Sequence, residues 1–343
     1  MLRSIAFSFL AASVLAACGG TPGSSPIGGA SAGAPPAANA DAGVPLDGSP
    51  ALSDAPGAPP GPAGDAGPPL DAAAPLDAVA GCYSEPYDPH ASLADLSSAY
   101  TTGAWLSTSL AAMQRRYPTG YFVVNAEQSD PQLPGFADPS PWGALMESLM
   151  TMVHEESHGW DFDHAQGTTH PYVLLDTMQI TVPQITTWPR SEITQFITDS
   201  STSLYDQTYL TGEQGTYDAI FLFEELNAYC NGLAGITAVG DQITQQISAR
   251  DGVAAHLYYL ELYLRAGRTA HASDYAVMKA DPNWQKLARY EWARGHFWDA
   301  QAVSNPNLDI ASAPIWAHID EPANLAEIQQ FTGQTPEEVT CNP

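Results

Sequence analysis

The residues of this sequence that are best placed to do chemistry together form the run His154-Glu155-Glu156-Ser157-His158. Residues four positions apart lie one turn apart on the same face of a helix, so the two imidazoles can bind one metal ion. Zinc suits this pair because it prefers nitrogen, sulfur and carboxylate ligands. The glutamate directly after the first histidine then lies beside the open metal position, where it can take a proton from a water molecule.

The residues before this run predict the helix that the spacing requires. Ser140-Pro141 is a typical helix start, since an N-cap residue precedes a proline at the first helical position. The apolar residues that follow recur at intervals of three and four, which is typical of an amphipathic helix: Trp142, Leu145, Met146, Leu149, Met150 and Val153. Gly159, directly after the run, predicts the end of this helix. Both histidines are therefore expected in its last turns.

A catalytic zinc ion needs a third protein ligand and an open fourth position, and two residues compete for the third place. One is His164, ten residues after His154, because the stretch HEESHGWDFDH is similar to the metzincin pattern HExxHxxGxxH. Asp161 stands where that pattern has glycine, and it adopts a left-handed turn less readily. Met178 could correspond to that family's downstream methionine, although a lone methionine is more often part of the core.

The second candidate is Glu225, in the segment Phe223-Glu224-Glu225-Leu226. Five apolar residues precede the two glutamates, so their helix is expected to be buried, and a buried carboxylate needs an ion pair or a metal. HExxH combined with a glutamate on a second helix resembles the gluzincin clan of zinc peptidases. The expected burial of the glutamates and the missing turn glycine of the metzincin pattern favour Glu225 over His164, with Glu224 as a third option. The chain lacks the Asn-Glu-x-x-x-Asp pattern of thermolysin-like members, so the resemblance indicates a clan and no particular family.

Other residues could support or replace this arrangement. An ion pair of Glu225 with Arg289 or Arg294 is the alternative to metal binding, although residues 81–343 hold few basic residues. Asp161 or Asp163 could accept a hydrogen bond from a ligand histidine and so select its tautomer. Four more side chains could meet charge that develops in a transition state: Tyr229, His170, His256 and His296.

The resemblance implies a zinc-dependent metallopeptidase in which His154, His158 and Glu225 bind Zn2+ and Glu155 is the general base for the zinc-activated water. It also implies a peptide or protein substrate, whereas the spacing alone indicates a metal-activated water. The alternative is a non-catalytic surface lipoprotein whose structural or degenerate zinc site is used for binding. A fourth protein ligand would favour that alternative, because catalytic zinc keeps one position open.

The amino-terminal residues 1–18 indicate export. The apolar run from Ile5 to Ala17 follows Arg3, is too short to span a membrane and is typical of a signal peptide. It ends in Leu-Ala-Ala-Cys18-Gly19, which resembles the lipobox of bacterial lipoproteins. The resemblance implies a lipid on Cys18 and a protein anchored to the cell envelope, and Gly19 favours the outer membrane.

The rest of the chain divides by composition. Residues 19–80 are almost only Ala, Gly, Pro, Ser and Asp, which predicts a disordered linker because such a segment buries too little apolar surface. Residues 81–343 are long enough for a full core and contain no second linker, so we predict one domain. Helical periodicity dominates there, which predicts a mainly helical α+β fold of zincin-like type with a small sheet.

Within this domain the pattern predicts further elements. Helices are expected over 103–116 and 217–231, from a cap at Asp251 to Gly267, and from Asp281-Pro282 to near Gly295. Short apolar or alternating runs predict strands at Tyr121–Val124, Tyr172–Leu175 and Met178–Val182.

The charge of the domain argues against polyanionic partners. The whole chain has 11 Lys or Arg and 38 Asp or Glu. Arg3 and six Asp lie in the first 80 residues, which leaves 10 basic and 32 acidic residues and a net charge of −22 for residues 81–343. Nucleic acids and anionic lipids are therefore not expected partners of the folded domain.

The cysteines suit an exported protein. If Cys18 carries a lipid, Cys82, Cys230 and Cys341 remain, and three pairings are possible. Cys82 and Cys341 lie at the two ends of the domain, and domain termini are often close together. A bridge between these two would leave Cys230 free.

Overall fold

A computed structural model describes residues 82–343, and the signal peptide and linker expected over residues 1–80 lie outside the described residues. The described part is a mainly helical domain with a two-stranded antiparallel sheet, which confirms the predicted fold class. Within residues 82–343, no helix combines the length and apolar character that a membrane crossing requires.

The helices follow one another in this order: α1 (Ala94–Ala99), α2 (Trp105–Arg116), α3 (Pro118–Ala126), α4 (Leu133–Phe136), α5 (Trp142–His164), α6 (Ser203–Tyr209), α7 (Ala219–Ala238), α8 (Arg250–Ala270), α9 (Ala272–Ala280), α10 (Pro282–Ala302), α11 (Ser312–Ile319), α12 (Pro322–Thr332) and α13 (Pro336–Cys341). The strands β1 (Thr169–Leu175) and β2 (Met178–Pro183) lie between α5 and α6. Short 3-10 helices cover Thr102–Ala104, Arg190–Phe196, Gln214–Thr216, Gly240–Gln242 and Pro306–Leu308.

Helix α7 lies at the centre of the domain, as its apolar sequence requires. Nearly every residue from Ala219 to Ala238 is buried, and the helix packs against α5, α8, α10 and β1. At Gly232 this helix lies close to α5, since a Cβ atom there would lie 3.1 Å from the carbonyl oxygen of Met150 and 3.4 Å from the Cβ of His154. The absence of a side chain at this position lets the helix come close to the residues of the HEESH motif without displacing them.

The two predicted strands near residue 175 are confirmed, and both extend slightly further than predicted. In the antiparallel pair, His170 lies opposite Val182 and Tyr172 lies opposite Ile180. The inner residues of β1 are buried against α5 and α7. The longer β1 brings His170 into the interior beside these two helices, which the sequence prediction did not include.

The strand predicted over Tyr121–Val124 is wrong, because these residues belong to α3. Pro118 occupies the first turn of α3, where proline favours the start of a helix. Val123 and Val124 are both fully buried, and α3 packs against α2 and α5. Four apolar residues in sequence can lie on a buried helix as well as on a buried strand, so periodicity does not distinguish the two.

Helix α5 does not end at Gly159 as predicted but continues to His164. The added turn is stabilised by Asp161, whose buried carboxylate accepts hydrogen bonds from the backbone N–H of Val173 at 2.7 Å and from the side chain of Asn227 at 3.0 Å. A glycine only favours a helix end locally, and these tertiary contacts override that preference. Both motif histidines therefore lie inside the helix.

The starts and ends of α8 and α10 were predicted only in part. Asp281 caps α10 as predicted, whereas Asp251 does not cap α8 but accepts hydrogen bonds from two N–H groups of the loop before α11. Helix α10 continues past Gly295, where a Cβ atom would lie 2.7 Å from a methyl group of Leu257. This glycine therefore serves close helix packing rather than helix termination.

The ends of the domain are joined covalently. Cys82 and Cys341 form a disulfide bond, and Cys230 is free and buried within α7. Of the three pairings that the sequence allowed, the structure therefore has the one between the domain ends.

Candidate metal centre

The two histidines of the HEESH motif face the same side of α5, as their spacing predicts. The rings of His154 and His158 are 5.0 Å apart, and both residues are buried in the interior, with 1 and 3 % of their surfaces exposed. Each Nε2 atom is buried without a hydrogen-bond partner among residues 82–343. A buried polar atom without a partner costs free energy, so two such nitrogens on one helix face are suited to bind a metal ion.

Glu225 of α7 brings a carboxylate oxygen to these two nitrogens. Its Oε2 atom lies 3.8 Å from Nε2 of His154 and 3.6 Å from Nε2 of His158, and it also has no hydrogen-bond partner in the described residues. Ligand atoms about 2 Å from a tetrahedral zinc ion are about 3.3 Å apart, close to these separations. The three residues therefore form a group that could hold a metal ion.

Glu224 has a different position from its neighbour. One of its carboxylate oxygens accepts a hydrogen bond from Nδ1 of His158 at 2.9 Å, and the other pairs closely with Nε2 of His170 on β1. A carboxylate on the far nitrogen of a ligand histidine selects the tautomer that leaves Nε2 free for a metal. Glu224 therefore orients His158 and is not part of the three-residue group.

The structure separates the other candidate ligand, His164, from this group. Its Nδ1 atom bonds to the backbone carbonyl of Trp160 at 2.8 Å, and its ring stacks on the Trp160 indole with 4.0 Å between centroids. The metal-binding group found within residues 82–343 contains His154, His158 and Glu225 and no fourth residue. The metzincin-like spacing fails because α5 continues as a helix through Asp161, where that pattern needs a turn.

Aromatic rings hold His154 in place. The ring of Tyr229 contacts the His154 imidazole edge to face, with 4.6 Å between the ring centroids. The same imidazole is hydrogen-bonded to the backbone of Ala228. The Tyr229 hydroxyl bonds to the hydroxyl of Tyr209 at 2.8 Å, and His256 stacks on the Tyr229 ring at 4.5 Å. These side chains form an aromatic cluster beside His154.

Glu155 has the environment of a proton-transfer group. It is fully buried, and neither carboxylate oxygen has a hydrogen-bond partner within residues 82–343. Burial raises its pKa to about 7, the charge of His158 opposes this shift, and the charge of Glu225 adds to it. A carboxylate in such a site can accept a proton and release it near neutral pH.

The charges of the three candidate ligands influence one another. Burial, followed by the charge of His158, lowers the pKa of His154 to about 3, so this imidazole is neutral as metal binding requires. Burial alone would raise the pKa of Glu225, but the nearby His158 and then the guanidinium of Arg190 bring it to about 2. Burial lowers the pKa of His158, but Glu224 and Glu225 together raise it well above its usual value.

A buried polar network behind the site joins α5, α7 and α10. Asn231 of α7 donates to Ser157 and to the backbone carbonyl of Val173, and its oxygen accepts hydrogen bonds from Tyr117 and Arg294. Arg294 also forms a buried ion pair with Glu85 at 2.6 Å. These buried contacts link the three helices to one another.

Arg294 and Asp161 do not make the contacts that the sequence left open as possibilities for them. Arg294 pairs with Glu85 and not with Glu225, so the ion-pair alternative to metal binding is not formed by this arginine. Asp161 accepts hydrogen bonds from Val173 and Asn227, and the carboxylate that is bonded to His158 is that of Glu224. The sequence gives little indication of this role, since only the position of Glu224 beside Glu225 on a buried helix could have suggested it.

The four candidates for transition-state stabilisation lie in different surroundings. His170 pairs with Glu224, Tyr229 packs on His154, and His256 stacks on Tyr229. His296 packs between the rings of Trp292 and Trp316. Three of the four are therefore in contact with the site or its immediate support.

Comparisons with known proteins give no match among protein-family models, curated proteins or solved structures. The residues and their geometry are therefore the basis for assigning a function. These support a buried His/His/Glu group of the HExxH-plus-glutamate kind in a mainly helical domain.

Proposed function

We propose that this protein is a zinc-dependent metallopeptidase, with His154, His158 and Glu225 as the zinc ligands and Glu155 as the general base. The observation that carries the proposal is the convergence of three buried ligand atoms without hydrogen-bond partners in residues 82–343. The buried carboxylate of Glu155 interacts electrostatically with two of these residues, His158 and Glu225. A zinc ion held by three protein ligands keeps an open position, which is typical of catalytic sites.

Different residues of the chain have different roles in the proposed hydrolysis. Zinc would supply a Lewis acid that polarises the scissile carbonyl and lowers the pKa of water. Glu155 takes the proton from the attacking water and delivers it to the leaving amine, which is general base catalysis followed by general acid catalysis. Glu224 holds the imidazole of His158, and Tyr229 packs against that of His154, so both nitrogens keep their orientation throughout.

A structural or binding zinc site is the second candidate function, and one observation favours it. His154, His158 and Glu225 are at most 3 % exposed, so a substrate can reach the site only if the surrounding side chains move. The three-residue ligand set favours catalysis instead, because a structural zinc site is usually closed by a fourth protein ligand.

Metal analysis of the full chain, combined with one substitution, separates these functions. One zinc ion per chain and hydrolysis of casein or a mixed peptide substrate, lost in Glu155→Gln while zinc stays bound, would support the peptidase. Glu156→Gln is the matched control: it changes the adjacent glutamate, whose side chain lies near Gly159, and should leave hydrolysis intact. Chains without stoichiometric metal would refute both functions, and zinc without hydrolysis would leave the binding function.

We also propose that the protein acts at the cell envelope, anchored by a lipid on Cys18, with peptides or proteins of that compartment as substrates. The lipobox-like sequence at residues 15–19 supports this placement. Incorporation of a labelled fatty acid that is lost in Cys18→Ser would support the anchor, and a cleaved, unlabelled protein would contradict it.

A further inference from the structure

Arg190 is a buried cation in unusual surroundings. It begins the 3-10 helix Arg190–Phe196 and has 1 % of its surface exposed. The other buried arginines, Arg116, Arg250 and Arg294, all form ion pairs with carboxylates. Within residues 82–343, no carboxylate oxygen forms an ion pair with the guanidinium of Arg190, although the domain has an excess of acidic residues.

Neutral groups hold this guanidinium in place. Its Nε atom donates to the backbone carbonyl of Gln214 at 2.8 Å, and Nη2 donates to the side-chain amide oxygen of the same residue. The rings of Tyr209 and Tyr217 lie 5.3 and 5.6 Å from its central carbon. Nη1 has only a long contact of 3.5 Å to the carbonyl of Phe221, so this nitrogen is the donor best able to take a new acceptor.

The guanidinium belongs to the surroundings of the candidate metal site. Tyr209, over which it lies, bonds through its hydroxyl to Tyr229, and the Tyr229 ring packs on His154. Burial lowers the pKa of Arg190, and Glu225 is the carboxylate that opposes this shift most strongly. When a metal ion neutralises the charge of Glu225, Arg190 no longer has a nearby negative charge. A buried cation without a counter-charge costs free energy.

A carboxylate on the substrate would restore the balance. A guanidinium is the side chain best suited to a carboxylate, because its planar donors match the two oxygens. The nearly closed site favours the end of a chain over the middle of a long polypeptide, since an end requires less room to enter.

We propose that Arg190 binds the free C-terminal carboxylate of peptides at the metal site, so that the protein acts on peptide C-termini. This assignment rests on the proposed peptidase function for its catalytic meaning. It assigns Arg190 a role in substrate binding and specificity, outside the chemistry of bond cleavage.

The test compares one mixture of N-acetylated tetrapeptides in two forms, with free C-terminal carboxylates and with C-terminal amides. For the zinc-loaded full chain we expect KM to be about tenfold or more lower for the acids, as a charge-assisted hydrogen bond would give. Arg190→Gln should remove this preference, and Arg190→Lys should retain part of it. Arg289→Gln, which changes another arginine whose Nε atom has no hydrogen-bond partner within residues 82–343, should keep the preference of the unaltered chain.

Calorimetric binding to the zinc-loaded Glu155→Gln chain gives a readout that does not depend on turnover. Tighter binding of the acids than of the amides, lost on adding Arg190→Gln, supports the assignment even if the unaltered chain hydrolyses neither form; that result would refute only the peptidase. Equal binding of acids and amides overturns the assignment, whether or not hydrolysis occurs. Zinc content and thermal melting of each variant verify folding, and Arg190→Lys replaces Arg190→Gln if the latter does not fold.

Discussion

The distinct positions of Glu224 and Glu225 lead to a prediction about zinc affinity. Glu224→Gln changes a carboxylate that serves two imidazoles, with His158 bonded at 2.9 Å and His170 in close contact with the other oxygen. A glutamine has a single carbonyl oxygen, so it can accept from one of these imidazoles but not from both. It also keeps the size of the side chain, so the change tests the hydrogen bonds and the charge without opening a cavity.

The expected loss of zinc affinity follows from the hydrogen bond between residue 224 and His158, which becomes weaker. A hydrogen bond to a charged acceptor contributes about 1.5–3 kcal/mol and one to a neutral acceptor about 0.5–1.5 kcal/mol, so the change costs about 1–1.5 kcal/mol. This corresponds to about a tenfold loss of zinc affinity, at the lower end of the 10–100-fold usual for groups that orient a metal ligand. Glu225→Gln removes a charged ligand itself and should therefore cost more than Glu224→Gln.

Both variants can be measured by competition for zinc with a chromogenic chelator at neutral pH, with circular dichroism to verify the fold. We expect the unaltered chain to bind zinc most tightly, Glu224→Gln to be intermediate and Glu225→Gln to bind most weakly. If Glu224→Gln lost more affinity than Glu225→Gln, the ligand and the orienting residue would have to be exchanged. If Glu224→Gln bound zinc like the unaltered chain, the orienting role would be refuted.

Three further predictions concern stability. Zinc at about 100 times its Kd should stabilise the fold by about 2.7 kcal/mol and raise Tm by roughly 5–10 °C in calorimetry, and no shift on adding a chelator would contradict zinc binding by the native state. Gly232→Ala should lower the free energy of unfolding in urea by about 1–3 kcal/mol, because its Cβ would lie 3.1 Å from the Met150 carbonyl. Its control, Gly159→Ala, meets its nearest atom at 3.4 Å and should be neutral or stabilising, so equal losses would count against the packing argument. Asn231→Ala should cost about 2–4 kcal/mol in the same assay, because it leaves the buried donor of Arg294 without its acceptor, and a loss under about 1 kcal/mol would contradict that role.

The features of the candidate site that depend on residues close together in the sequence were predictable. The spacing of His154 and His158 places both on one helix face wherever the helix lies, and the apolar run before Glu224 predicts burial of both glutamates. The core positions of α5 and the cap of α10 follow from the same short-range rules. The disulfide between Cys82 and Cys341 was favoured only by the tendency of domain ends to lie together.

Predictions failed where packing overrides local preference. Gly159 favours a helix end, but the hydrogen bonds of Asp161 continue α5 beyond it. The run Tyr121–Val124 is apolar enough for a strand, but Pro118 starts a helix that includes these residues, and the surrounding helices bury Val123 and Val124. Gly295 lies inside α10 because Leu257 occupies the space of its missing side chain.

By itself, the sequence determined that two imidazoles and the carboxylate of Glu155 share one helix, and that two adjacent glutamates lie on a buried one. Only the tertiary structure decided which glutamate completes the group. Adjacent residues on a helix point about 100° apart, so the close approach of α5 to α7 at Gly232 turns Glu225 toward the two Nε2 atoms and Glu224 toward the far nitrogen of His158. A separation of 67 residues carries no information about that contact, because it depends on how the helices pack.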